Sequence, residues 1–121
     1  MSENVVIIGA SAKESRYAYK AQTMLADRDH TIYPYNPFGG ESRGLTFISD
    51  FSEISDPIDT VTLYVAPKRL LPMIPDILSL KPKRIIFNPG TEDNEAMRLF
   101  REAEVEVIEA CTLVMLSTNQ F

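Results

Sequence analysis

Apolar residues along this chain fall into short β-branched runs separated by stretches of helical spacing. Val5-Val6-Ile7-Ile8 is apolar at every position and stops at Gly9. A strand without polar alternation is one buried on both faces, as in the middle of a parallel sheet. A polar loop, Ala10 to Ser15, follows. A helix is then expected from about Arg16 to Asp27, because Tyr17, Ala21, Met24 and Leu25 fall at i, i+4, i+7 and i+8 and share one face. Thr31-Ile32-Tyr33 begins a second strand, closed by Pro34 and Asn36-Pro37. Asn36 to Gly44 holds three glycines and a proline and reads as loop. Thr46-Phe47-Ile48 is a weak edge strand, and Ser52 is the expected cap of a helical turn within Ser49 to Asp56.

Asp59 to Val65 is rich in β-formers and reads as a fourth strand. Pro67 to Leu80 has the apolar spacing of a helix, but an interior proline costs about 3 kcal/mol. That helix is therefore expected to start late, with Pro72 or Pro75 in its first turn. Arg84 to Phe87 is a fifth, buried-type strand. Thr91 is the expected cap of a helix running through Ala103, with Glu92, Asp93 and Glu95 near its positive end. Val105 to Ile108 is a last strand, and Cys111 to Leu116 a short closing helix. Strands alternating with helices imply a Rossmann-like α/β fold of three layers, a mostly parallel twisted sheet with helices on both faces. The expected strand order is 3-2-1-4-5, with the last strand at the far edge and one domain over residues 1–121.

Composition narrows the function. The chain has 121 residues, is 45% hydrophobic and 24% charged, and carries a net charge of −5. An acidic balance argues against nucleic acid and acidic membranes as partners, since both call for a basic face. The N-terminus lacks the basic and apolar regions of a signal peptide, and no apolar run nears the ~20 residues of a membrane span. Cys111 is the one cysteine, so no internal disulfide forms. A cytoplasmic location is the expectation.

In an open parallel sheet the ligand site lies beyond the carboxyl ends of the strands, where strand order reverses. The residues at those ends are cationic and amide-rich despite the acidic whole. After the first strand come Gly9, Ala10, Ser11, Lys13, Arg16, Tyr17 and Lys20; after the second, Asn36, Pro37 and Arg43. Ala66, Pro67, Lys68 and Arg69 follow the fourth strand, and Asn88, Pro89, Gly90 and Thr91 the fifth. Such a rim suits a multiply phosphorylated ligand, held by Arg, Lys and helix amides. The dinucleotide fingerprint is degenerate: Ser11 and Glu14 stand where the second and third glycines belong. Asn36 ends the second strand where an NAD site needs an acid to bond ribose, which leaves an NAD(P)-binding sensor as the weaker alternative. No phosphate-binding P-loop occurs. His30 precedes the second strand at the wrong end and reads as a surface residue, so no catalytic or metal constellation is expected. Cys111 reads as a small buried hydrophobe, or as a thiol near the ligand's own thiol and able to exchange with it.

Five segments carry a resemblance: Val6 to Ser11, Ser15-Arg16-Tyr17 with Lys20-Ala21, Asp59 to Tyr64, Ile86 to Glu92, and Glu109 to Leu116. In these the chain resembles the small stand-alone CoA-binding domain proteins, related to the N-terminal domain of the succinyl-CoA synthetase α subunit. The resemblance implies coenzyme A or an acyl-CoA lying across the strand ends. It implies Gly9, Ala10, Ser11, Arg16 and Tyr17 near the phosphates and adenine, and Asn36, Pro37, Ala66, Pro67 and Asn88 to Gly90 along the rest. Asp29 departs from the family pattern, standing where a turn glycine is usual, as does Tyr19. The synthetase's ligase domain has no counterpart in this chain, so binding without catalysis is what the resemblance implies, with a non-catalytic partner subunit of an acyl-CoA ligase as a further alternative.

Overall fold

In the computed structural model, which describes residues 2–121, five parallel strands form the central sheet. They are β1 (Asn4–Ile8), β2 (Thr31–Tyr35), β5 (Thr60–Leu63), β6 (Arg84–Phe87) and β7 (Glu106–Glu109), in the order β2-β1-β5-β6-β7. The register places Val6 beside Tyr33 on one side and Val61 on the other, so β1 is an interior strand. Val5, Val6, Ile7 and Ile8 are all fully buried, as an uninterrupted apolar strand requires. Val6 and Ile8 join Val61, Leu63, Ile85 and Phe87 in one core, while Val5 and Ile7 enter a second core on the other face.

One strand expectation is corrected. Residues 46–48 do not form a sheet strand. Instead β3 (Glu41–Ser42) and β4 (Leu45–Thr46) make a two-stranded antiparallel hairpin, and Ile48 touches β2 through a single parallel bridge to Tyr35. The glycine-rich loop turns the chain back on itself before it can run beside β2 for more than one residue.

Helix α1 (Tyr17–Asp27) and the closing α5 (Thr112–Ser117) cover one face. The other face holds α2 (Pro67–Leu70), α3 (Ile74–Ser79) and α4 (Asn94–Glu102). The segment after β5 begins helical at Pro67 itself, not late: α2, a tight turn over Leu71–Met73 and α3 follow without a break. Each piece takes a proline in its first turn, where the missing N–H costs nothing, so three short segments tolerate what one long helix would not. Two cap assignments also change. Asp50, not Ser52, caps the turn at Phe51–Glu53 and accepts from the Ser52 amide. Asp93, not Thr91, caps α4 and accepts from the Ala96 amide at 2.9 Å.

Thr91 instead donates its hydroxyl to the Asn88 carbonyl at 2.7 Å. Asn88 is buried and ties three elements together. Its Nδ2 donates to Thr62 Oγ1 (2.7 Å) and to the Leu63 carbonyl (2.8 Å), and its Oδ1 accepts from the Thr112 amide (2.8 Å). Thr62 and Thr112 close the ring through their hydroxyls at 2.8 Å. The ends of β5 and β6 are thus bonded to the start of α5.

The ends of α1, α4 and α5 share one geometry. Asp29, Glu104 and Asn119 take φ of 64°, 66° and 59°, and the next residue's amide reaches back to Leu25, Phe100 and Met115 respectively. This is the Schellman closure, usually made by glycine because a Cβ is strained there. At the amino edge of the sheet, His30 is half-buried and its Nδ1 accepts from the Glu3 amide at 2.9 Å. Glu3 also receives the Thr60 hydroxyl and pairs with Arg84, whose guanidinium lies 4.5 Å from the Phe121 ring centre.

Replacing Asn88 by Ala strands the Thr112 amide and Leu63 carbonyl in the core, and denaturant titration is expected to show a loss of about 2–4 kcal/mol. Asp29→Gly and Glu104→Gly relieve the positive-φ strain and are each expected to add about 0.5–1 kcal/mol in the same titration, after the greater freedom of glycine in the unfolded chain. Burial holds the His30 pKa below 6.5, with Glu3 pulling the other way. The neutral ring is the one the fold prefers, so its contribution is whole above about pH 6.5 and declines as pH falls below it. The thermal midpoint should drop on that side, and His30→Asn should remove the drop.

Candidate functional site

At the carboxyl end of the sheet the chain leaves β1 toward one face and β5 toward the other, and a cleft of about 630 Å³ opens between the departing loops. The turn after β1 forms its floor. Gly9 has φ of 92°, and a Cβ there would lie 2.9 Å from both the Tyr64 carbonyl oxygen and Val65 Cγ1. Only glycine fits between the two loops. The Gly9 and Ala10 amides both donate to the Tyr35 carbonyl, at 3.1 and 3.0 Å. Those two residues therefore shape the cleft with their backbone but keep their N–H groups for the fold.

The expected residues after β1 come together in the cleft wall: Ala10, Ser11, Lys13, Arg16 and Tyr17. Arg16 occupies the cap position of α1, no side chain caps that helix, and no acid stands in its first turn. The first amides of α1 and its positive dipole end are left for an anion. Asn36 and Pro37 line the side beyond β2, with Gly39, Gly40 and Phe47. Asn36 works within the fold: its Nδ2 donates to the Ala10 carbonyl and its Oδ1 accepts from the Phe38 amide, both at 2.9 Å. Its amide is spent holding the two loops together and is not free to read a ribose, which weighs against an NAD site.

Ala66 enters the cleft after β5, and Pro89 and Gly90 after β6. Six expected residues lie outside the wall. Lys20 sits one turn into α1 with its ammonium 5.4 Å from the Tyr17 ring centre, and Arg43 is in the turn between β3 and β4. Pro67 begins α2 and Lys68 turns away with it, while Arg69, the next residue, faces in. Asn88 sits behind the wall in its buried hydrogen bonds. Cys111 is a half-buried free thiol at the start of α5 and does not reach the wall. Glu92, expected at a helix start, instead accepts from the Gly90 amide at 2.8 Å.

Sequence reasoning passed over Val65, Met73 and Tyr64, which give the cleft an apolar inner side. Hydropathy placed them in core elements and could not show that one side of each faces an opening. The Tyr64 hydroxyl is buried close to Thr62 and Thr112 but in hydrogen-bonding geometry with neither. Burial pushes its pKa up to about 12, so it stays a neutral phenol.

Three cations meet at the cleft. Lys13, Arg16 and Arg69 line the cleft, and among the described residues none lies within 4.0 Å of a carboxylate. Away from the cleft, Lys83 pairs with Asp59, Arg84 with Glu3, and Arg98 with Glu95 and Glu102. No group of three potential metal ligands occurs among the described residues. Among the described residues no helix is long and apolar enough to cross a membrane.

A family described as the CoA binding domain matches residues 3–117. No curated protein matches the chain. Among solved structures, a crystal structure of an uncharacterized protein is 42% identical with a TM-score of 0.95, covering 100% of this chain and 99% of that one. A hypothetical protein from Pyrococcus horikoshii OT3 is 24% identical with a TM-score of 0.89, over 97% and 83% of the two chains. The dinucleotide-forming acetyl-coenzyme A synthetase 1 of Ca. Korarchaeum cryptofilum, solved with phosphate and ADP, shares the fold at 21% identity and a TM-score of 0.76. That similarity covers 89% of this chain and 25% of the synthetase. With the sheet order, the glycine turn and a match that runs nearly from end to end, the chain belongs to the CoA binding domain family.

Proposed function

We propose that this protein binds coenzyme A or an acyl-CoA in the cleft at the carboxyl edge of its sheet, without chemistry of its own. The observation that carries the reading is the set of unpaired cations there. An acidic protein that neutralises Arg84 and Arg98 with carboxylates leaves Lys13, Arg16 and Arg69 open around one cleft. Phosphates would lie against Lys13, Arg16 and the uncapped start of α1, with Arg69 closing from the other side. The flexible arm of the ligand would run along Val65, Ala66, Met73 and Pro89, where the wall is apolar.

Calorimetry with CoA, acetyl-CoA, dephospho-CoA and NAD tests the reading. CoA should bind and NAD should not. Arg16→Ala and Arg69→Ala should each weaken CoA binding by about 1.5–3 kcal/mol, the worth of a hydrogen bond to a charged group. Added salt should weaken the parent more steeply than either variant. Unchanged affinity in both variants would remove the phosphates from this cleft, and tighter binding of NAD than of CoA would replace the ligand.

A further inference from the structure

Phe38 stands at the rim of the cleft, 84% exposed, the most exposed large apolar side chain described. A single exposed apolar residue is ordinary on a protein surface. The loop that carries Phe38 makes it unusual. The Phe38 amide donates to Asn36 Oδ1 at 2.9 Å, and the Gly39 amide donates to the Asn36 carbonyl at 3.0 Å. The Phe47 amide donates to the Gly40 carbonyl at 2.8 Å, and the Phe47 ring packs against Gly40. Gln22 Nε2 in α1 donates to the Ser42 carbonyl at 3.1 Å and holds the hairpin down. The backbone on both sides of Phe38 is thus fixed, and the fold holds an aromatic ring out in water beside residues of the cleft wall. Its neighbour is Arg69, whose guanidinium lies 5.7 Å from the ring centre and which itself lines the cleft.

We infer that Phe38 is the platform on which the adenine of the bound nucleotide stacks, and that it makes the site select ligands bearing a nucleotide. This rests on the coenzyme A reading of the cleft. In a sheet of this topology the adenosine end of a ligand lies beyond the strand next to β1, here β2, and Phe38 is the exposed ring of the loop that leaves β2. A base has a flat π-face on which an aromatic side chain stacks without reading its edges. Stacking also covers the apolar ring that the free protein leaves in water. Arg69 belongs to both groups: it rests on the Phe38 ring, and it reaches the phosphates when the base takes its place.

The test uses CoA and phosphopantetheine, which lacks the nucleotide, against the unmodified chain, Phe38→Ala and Phe38→Trp, by calorimetry. Because the ring is exposed, both variants should keep the parent's thermal midpoint. Phe38→Ala should weaken CoA roughly five- to hundred-fold and leave phosphopantetheine unchanged. Phe38→Trp should keep CoA affinity and, as the only tryptophan in the chain, have its emission altered by CoA and not by phosphopantetheine. CoA binding equally well to the parent and to Phe38→Ala overturns the inference and leaves the coenzyme A reading standing. An equal loss for both ligands also overturns it, because the ring would then be supporting the loop. An unmodified chain that binds neither ligand ends the coenzyme A reading and this inference together.

Discussion

The seam between β1 and β5 is the constraint on which the rest of the molecule depends. The chain departs from these neighbouring strands toward opposite faces, so nothing covers the sheet edge between them. The two departing backbones pass so close that a Cβ on Gly9 would collide with the Tyr64 carbonyl. That contact sets the height of the cleft floor and aims α1 so that its first turn looks across at α2. Lys13 and Arg16 then face Arg69 because the seam is narrow, although the two groups lie more than fifty positions apart in sequence.

Polar groups at this edge divide into those that hold the cleft together and those without a partner in the fold. The Gly9 and Ala10 amides, the Asn36 side chain and the side chain and carbonyl of Asn88 are engaged in holding loops to strands. Buried polar groups without partners are costly, and these residues are bonded accordingly. The start of α1 has no side-chain cap, and among the described residues Lys13, Arg16 and Arg69 meet no carboxylate. At the amino edge the same residue types are spent differently. Arg84 is met by Glu3, Thr60 and the Phe121 ring, and His30 by the Glu3 amide. Arg84 and His30 at the amino edge are thus met by their own neighbours, while Lys13, Arg16 and Arg69 gather around the cleft at the carboxyl edge of an acidic protein.

Helix endings show how closely local and tertiary demands compete. Asp29, Glu104 and Asn119 hold a left-handed conformation that glycine would adopt without strain. The hydrogen bonds of the closure and the strands that begin two residues after Asp29 and Glu104 hold them there. Asp29, conspicuous in the sequence as a departure from a glycine position, is accommodated by geometry rather than by a different turn.

Periodicity and residue chemistry alone determined the alternation of strands and helices, the two-sided burial of β1, and the loops that gather at the carboxyl end of the sheet. These follow from local preference and from which residues water excludes, and both are written along the chain. What required the folded molecule was the direction of individual side chains. Lys68 and Arg69 are adjacent and alike in charge. Neighbours on a helix point about 100° apart, so where α2 begins decides which one enters the cleft. That beginning depended on three prolines each finding a first-turn position, which no spacing rule distinguishes from one late-starting helix. Asn88 and Cys111 sit at strand ends as expected of site residues, yet the packing of α5 turned one into a buried tie and drew the other off the wall. Partners for such groups come from distant segments, and only the closed sheet brings those segments within bonding distance.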